Sequence, residues 1–281
     1  MKRFLNIALG IVAWLAILAY LIFAARYCRE QQRTEQLSDV EIVVTDYDRL
    51  QIVSPEAVRG WLAEAGITLE GSGIEDINTD RIMEVIGSRT FVKDVTAYTE
   101  QSGTLHISLS QRIPIARVAR GDGSDFYISD DLWILPTKTG TAEYVPVITG
   151  SFGLPFDAEW FGKLQEPSEM EQKKLHQNYT FLLKLINFVR LTGNDPFWSA
   201  EIVQIDVRGK EGAPEWKEPD IEIIPRAGNH IIALGTTDNV EEKLAKLMLF
   251  YRNVLDYEGW DKYRLIDIRY DNQVVCRKQT R

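Results

Sequence analysis

Residues able to do chemistry are few and scattered in this chain of 281 residues. His106, His176 and His230 lie far apart and show no metal-ligand spacing, so each reads as a surface or half-buried structural histidine. Cys28 and Cys276 are separated by 247 residues, which argues against a bridge, and neither forms a local Cys–His pair. Gly71-Ser72-Gly73 reads as a loop, without the surroundings of a nucleophile elbow, and no P-loop is present. Asp130-Asp131 sits in a turn, where adjacent carboxylates cap or solubilise. A carboxylate pair assembled by folding leaves no local signature, so an envelope enzyme such as a wall hydrolase stays open as the competing class. The more informative chemistry is main-chain chemistry near the end. Leu265–Tyr270 alternates as a strand, Asp271-Asn272 turns, and Gln273–Cys276 follows as a last strand. A terminal strand at a sheet edge offers unpaired N–H and C=O groups to a partner strand. The same pattern fits a central strand, or an edge blunted by Arg269, Arg277 and Lys278.

The elements that must position these residues are legible in order. Val40–Val44 is a short strand. Ser54-Pro55-Glu56 opens a helix to about Ala65, with Val58, Trp61, Leu62 and Ala65 on one stripe and Gly66 as its stop. A second helix spans Thr79–Gly87 with Ile82, Val85 and Ile86 on one side. Val92, Val95 and Ala97 lead into a strand pair whose return carries Leu105, Ile107 and Leu109, which places His106 on the solvent side. Residues 39–118 therefore read as a β-α-α-β-β module. Residues 119–278 read as a mostly antiparallel β domain with helices: a hairpin over Phe126–Pro136, a strand at Val145–Ile148, and a helix from the capping box Ser168–Glu171 to about Leu191. Strands follow at Ile202–Val207, Ile221–Ile224 and His230–Leu234. A last helix capped by Asp238 buries Val240, Leu244, Leu247, Met248, Tyr251 and Leu255. Residues 279–281 are the C-terminal end. The fold class expected is α+β.

All of this follows an apolar stretch. Phe4–Ala25 holds twenty-two residues with no charge between Arg3 and Arg26. As a helix it would run roughly 33 Å, enough for a hydrocarbon core of about 30 Å, so a single transmembrane helix is expected over 4–25, after a leader of residues 1–3 and before a polar arm over 26–38. It is longer than the core of a cleavable signal, and Ile22 and Phe23 are poor −3 residues for cleavage. The charges flanking it, Lys2 and Arg3 against Arg26, Arg29 and Arg33, leave orientation open. Formal charge is −9, and residues 1–33 carry five basic and one acidic side chain, leaving the remainder at −13. So acidic a domain is a poor binder of nucleic acid or anionic lipid. The shortage of cysteine fits an exported domain stabilised by its own core.

The assembled pattern resembles the FtsQ/DivIB family. Phe91-Val92-Lys93-Asp94-Val95, and Leu105–Gln111 running into Arg112-Ile113-Pro114-Ile115-Ala116, are similar to the end of that family's POTRA module. Tyr127–Asp131 and Pro146-Val147-Ile148-Thr149-Gly150 resemble passages of its β domain, and Ile266-Asp267-Ile268-Arg269-Tyr270 resembles a late strand. Leu154–Gln177 and Gly209–Pro219 match no part of the pattern. The resemblance implies a non-enzymatic divisome scaffold without a cofactor, held in the bacterial inner membrane at the division septum with its C-terminal domain in the periplasm. It implies FtsB-like and FtsL-like bitopic coiled-coil proteins as partners, bound by strand addition through Tyr270, Asn272, Gln273, Val274 and Val275. A transport-linked POTRA protein is the third class, but no run of barrel strands follows here.

Overall fold

A computed structural model describes residues 13–26, 37–69, 71–100, 102–137, 144–157, 159–170, 172–209 and 218–279. The chain divides into two compact units between Gln111 and Arg112. In the first, residues 13–26 form a helix, α1, whose apolar side chains, Trp14, Leu18, Tyr20 and Phe23 among them, are exposed. The stretch expected to span a membrane begins earlier, at Phe4, and its residues 4–12 lie outside the described residues, as do 27–36 of the polar arm. Among the described residues no helix is long and apolar enough to cross a membrane.

The rest of the first unit is β1 (Asp39–Val44), α2 (Pro55–Glu64), α3 (Thr79–Gly87), β2 (Val92–Thr99) and β3 (Thr104–Gln111), with a 3-10 turn at Ile74–Asp76 between the helices. Both helices start where their caps dictate. The Ser54 hydroxyl accepts the Ala57 N–H with Pro55 just inside, and the Asn78 side chain accepts the Arg81 N–H. The sheet order is β1-β3-β2, with β1 parallel and β2 antiparallel to the central β3. Val58 and Leu62 of α2 and Ile82, Val85 and Ile86 of α3 are buried, as are Leu105, Ile107 and Leu109 of β3. Trp61 and Ala65, expected on the buried stripe, are not buried; Trp61 lies under the Arg89 guanidinium, 5.1 Å from its ring centroid. Gln111 fastens the loop between β1 and α2: its Oε1 accepts the Ile52 and Val53 N–H groups at 3.1 and 2.7 Å, and its Nε2 donates to the Leu50 carbonyl.

The second unit is one ten-stranded sheet, in the order β13-β12-β11-β10-β9-β7-β4-β5-β6-β8. Its strands are β4 (Pro114–Val118), β5 (Phe126–Ser129), β6 (Trp133–Pro136), β7 (Val147–Gly150), β8 (Gly162–Lys163), β9 (Ile202–Arg208), β10 (Asp220–Pro225), β11 (Ile231–Gly235), β12 (Tyr263–Asp267) and β13 (Val275–Lys278). The helices are α4 (Lys173–Gly193), α5 (Pro196–Glu201), α6 (Val240–Phe250) and α7 (Asp256–Glu258). Leu182, Leu185, Ile186 and Val189 of α4 share one core with Leu244 and Leu247 of α6 and with Ile148, Ile205, Ile223, Ile232 and Ile266 of the sheet.

Several expectations are corrected. Pro114–Val118, assigned by sequence to the first module, is strand β4 of the second sheet, paired with β5 and β7. Ser168 does not cap α4. Its carbonyl accepts the Gln172 N–H in a preceding turn, and the helix begins at Lys173 after Gln172, whose φ of −137° and ψ of 50° are not helical. Asp238 does not cap α6 either: its carboxylate accepts the Thr236 hydroxyl, and the entry residue is Asn239, left-handed at φ 53°. Glu241 and Glu242 still supply negative charge to the first turn. The last helix is not one regular piece, since Tyr251–Leu255 forms a π turn before α7. The final strand runs Val275–Lys278 rather than 273–276.

Gly150 at the end of β7 has a backbone reason to be glycine. Its φ is +103°, and an added β-carbon would lie 2.1 Å from the Val207 carbonyl oxygen on β9. Gly150→Ala is expected to destabilise the second unit by at least about 2 kcal/mol, from the unfavourable dihedral and the displaced strand together. Gly60 sits inside α2 with open space around its Cα, so Gly60→Ala is expected to stabilise the first unit by about 0.5–1 kcal/mol. Urea unfolding of the two variants against the parent checks both signs.

Candidate functional site

Among the described residues, most side chains with catalytic potential are held by structural partners. Asp131 accepts Arg112 Nε at 2.9 Å and the Ser129 hydroxyl at 2.6 Å, while the Arg112 guanidinium lies 3.6 Å from the Trp133 ring centroid. Asp130 accepts Arg190 Nε at 2.9 Å. The two carboxylates are thus split between two arginines. The Ser72 hydroxyl donates to the Thr68 carbonyl. His106 stacks on Tyr98 on the outer face of the small sheet, its Nδ1 2.8 Å from Glu41. His176 Nδ1 lies 3.2 Å from the Pro167 carbonyl. His230 is buried with Nε2 3.0 Å from the Tyr251 hydroxyl, among Trp260, Tyr251 and, beyond it, Trp198. Cys276 is half-buried, and burial pushes its thiol up. Among the described residues, no three His, Cys, Asp or Glu side chains are gathered to hold a metal.

The end of the chain forms an open edge. β13 pairs antiparallel with β12 (Asp267↔Val275, Ile266↔Cys276, Leu265↔Arg277) and is the first strand of the sheet, so its other side has no strand among the described residues. The direction of its peptide groups follows from β12. The Ile268 N–H donates to the Ala233 carbonyl, so Ile266 and Ile268 face β11 while Leu265 and Asp267 face β13. Their opposite residues, Val275 and Arg277, therefore bond inward, in the same phase as the Gln279 N–H on the Lys262 carbonyl. The peptide groups of Val274, Cys276 and Lys278 point out from the edge. The side chains divide as well: Val274 and Cys276 rest against the core, while Val275, Arg277 and Lys278 are exposed.

The turn before β13 is clamped. Arg269 grips Asp267 with two hydrogen bonds, Nε to Oδ1 at 2.9 Å and a terminal nitrogen to Oδ2 at 2.5 Å, and reaches Asp220 on β10. Burial pushes the Asp267 carboxyl up, but the Arg269 side chain and N–H outweigh it and hold the group below its ordinary value. Lys246 of α6 donates to the Ile268 carbonyl at 3.1 Å and also to the Tyr270 carbonyl. Of the residues singled out by sequence, Tyr270 is 47% exposed, Asn272 and Gln273 are exposed in the turn, Val274 leads into the strand and Val275 begins it. Of these, Val275 lies in the edge strand itself, and the others belong to the turn and connection that lead from β12 into it. Lys246 and Asp220, distant in sequence, were missed; no local pattern marks a lysine on a helix as a clamp for carbonyls more than twenty residues away.

Comparison with known proteins agrees with this architecture. Residues 113–277 match the family described as FtsQ/DivIB, C-terminal related, and residues 35–110 match a POTRA-like domain. A relative, the cell division protein FtsQ of Rhodothermus marinus, is 22% identical over 235 residues, covering 82% of this chain and 77% of that protein. The fold is that of an α+β protein with a POTRA-like module and a large β sheet. The chain belongs to the FtsQ/DivIB family, a family of non-enzymatic cell-division proteins.

His230 makes the second unit sensitive to acid. Burial depresses its pKa, with the Trp260 carbonyl and the Asp261 charge opposing more weakly. The unfolded chain takes up this proton below about pH 6.5 while the folded chain resists it, so stability is full above pH 6.5 and falls as pH drops toward the folded value, by at most about 1.4 kcal/mol per pH unit. Glu201, pushed up by burial, acts with the opposite sign, losing stability as pH rises from about 4.5. Urea unfolding at pH 7.5, 6.5 and 5.5 is expected to show the parent losing stability relative to His230→Gln as pH falls. Parallel pH curves for the two proteins would contradict this.

Proposed function

We propose that the protein is a membrane-anchored scaffold of the bacterial division machinery that works by holding partners and carries out no reaction. The observation that carries this reading is the clamped edge strand β13, whose outward peptide groups at Val274, Cys276 and Lys278 present a ladder for one more strand. Family membership supplies the division context. The uncharged run Phe4–Ala25 supplies the anchor, a single span with residues 1–3 in the cytoplasm and everything after it in the periplasm, at the septum. The partners are FtsB-like and FtsL-like bitopic coiled-coil proteins, the first contributing the added strand. Tyr270 acts as an aromatic anchor at the head of the edge, Asn272 and Gln273 flank the entry, and Val274 and Val275 give the first main-chain and apolar contacts. Arg277 and Lys278 are exposed on the same edge, so an incoming strand with carboxylates toward its far end fits it best. No step of this role needs a cofactor or metal.

Proline at Val274 removes an outward N–H and leaves the inward bonds of Val275 and Arg277 in place. Val274→Pro is expected to abolish capture of the coiled-coil partners from solubilised membranes while the second unit stays folded, its melt lowered only by the lost contact of Val274 with the core. Val275→Pro, which removes an inward bond to β12, is expected to lower the melt as well. Undiminished capture by folded Val274→Pro would rule out strand addition at this edge.

A further inference from the structure

His230 sits in a buried cluster that touches the far end of the edge strand. The imidazole is 2% exposed, at the entry to β11. Its Nε2 lies 3.0 Å from the Tyr251 hydroxyl, in the π turn Tyr251–Leu255. Its Nδ1 is buried without a well-formed hydrogen bond, and the Trp260 carbonyl beside it favours a proton there. A β-carbon on Gly228 would lie 2.8 Å from that nitrogen and 2.9 Å from the Trp260 carbonyl oxygen, so backbone crowds this side of the ring. The neutral ring therefore carries its proton on Nδ1 and accepts the Tyr251 O–H at Nε2. A second proton would turn Nε2 into a donor facing a hydroxyl whose own proton already fills the gap.

The charged groups around the ring do not offset that proton. Asp261 of the following turn favours it, but burial outweighs the attraction. Glu201, at the end of α5, acts on Tyr251 and accepts the Ala227 N–H at 3.0 Å, with the Arg226 charge beside it. Glu258 pairs with Lys262, and Arg264 on β12 is exposed. A charged imidazole is thus accommodated only by letting water in. Tyr251 is 2% exposed and fixed in the core, whereas Trp260 is half-buried and belongs to the turn over 259–262. Two bonds hold this turn: the Gly259 N–H on the Leu255 carbonyl at 2.9 Å, and the Lys262 N–H on the Gly259 carbonyl at a long 3.4 Å. The turn in turn supports the edge strand. The Lys262 carbonyl accepts the Gln279 N–H at 3.0 Å, and Tyr263 is paired with Lys278.

We propose that His230 is an acid-operated latch on β13. When the imidazole takes up a proton, Trp260 swings out, the turn over 259–262 opens, and the Lys278 end of the edge strand loses its support. The Val274 end stays in place, because Arg269 on Asp267 and Lys246 on the Ile268 carbonyl hold it independently. The outward ladder is shortened and holds a partner strand less well; this last step rests on the scaffold reading given above. The closed turn is favoured fully above about pH 6.5, where an exposed imidazole is neutral, and less as pH falls below it. Opening grows by up to about tenfold between pH 7.5 and 5.5 for an exposed group titrating near 6.5.

The test is hydrogen exchange by mass spectrometry on the full chain in nonionic detergent at pH 7.5, 6.5 and 5.5, corrected for the intrinsic pH dependence of exchange. Peptides covering 259–263 and 275–279 are expected to lose about tenfold in protection from pH 7.5 to 5.5, while those covering β9 and β10 keep theirs. His230→Gln leaves a neutral acceptor for Tyr251, and its protection is expected to be the same at all three pH values, whatever its absolute level. Glu201→Gln is expected to keep the acid response, which separates the imidazole from the neighbouring carboxyl. Equal pH slopes in the parent and His230→Gln would overturn the latch, and so would a loss of protection spread evenly over β9 and β10. Capture of the coiled-coil proteins from solubilised membranes is then compared at pH 7.5 and 5.5. The parent is expected to lose several-fold more capture in acid than His230→Gln. Equal losses in the two, with the turn open in the parent, would overturn the link from latch to edge. An acid-opened turn with no capture at any pH would instead contradict the scaffold reading and leave the latch standing.

Discussion

An open sheet has to end, and the peptide groups on its last strand must bond to something. In the large sheet of this protein the constraint falls on the pairing of β12 with β13. That register turns Val275 and Arg277 inward and leaves Val274, Cys276 and Lys278 facing out. Everything around it keeps the strand in that phase. Arg269 closes on Asp267, Lys246 ties the carbonyls of Ile268 and Tyr270 to α6, and Val274 and Cys276 rest against the core. A slip of one residue would bury Val275 and Arg277 in place of Val274 and Cys276 and would desolvate a guanidinium. The edge is therefore held in one register although it is open, and a template held in place lowers the ordering cost of binding a strand.

The outer strands β13 and β1 solve the same problem with opposite charge. Unpaired edges invite non-specific association, and natural sheets blunt them with charged side chains. At β13 the blunting residues are Arg277 and Lys278; at β1 they are Asp39 and Glu41. The charges that discourage indiscriminate pairing also select among partners, because like charges placed across a ladder are repelled. In a chain as acidic as this one, the basic edge is the exception.

Local signals carried much of the fold. Ser54-Pro55 and the stripe of Ile82, Val85 and Ile86 placed two helices because cap and burial act within one turn of each. The alternation of Leu105, Ile107 and Leu109 marked a strand with one buried face. The failures lay where a distant contact overrode a local preference. Pro114–Val118 reads as the close of the first module, yet it pairs with β5 and β7 of the second sheet, and pairing between separate stretches leaves no trace in composition. The Ser168 capping box lost to a turn, and Asp238 lost to the Thr236 hydroxyl. At the candidate site the strand itself was visible, but whether it lay at an edge was not, because alternation describes the faces of a strand and says nothing about its neighbours. Strand order decided that, and the clamp formed by Lys246 and Asp220 became visible only with it.

The most direct measurement is residue-resolved amide hydrogen exchange of the full chain, alone and with the proposed coiled-coil partner, purified. In the free protein the amides of Val275 and Arg277 should already exchange slowly, while those of Val274, Cys276 and Lys278 exchange quickly. On binding, the fast set should slow by at least tenfold and the slow set should change little. Bound partner with no new protection at Val274, Cys276 or Lys278 would contradict strand addition and move the binding surface elsewhere on the molecule.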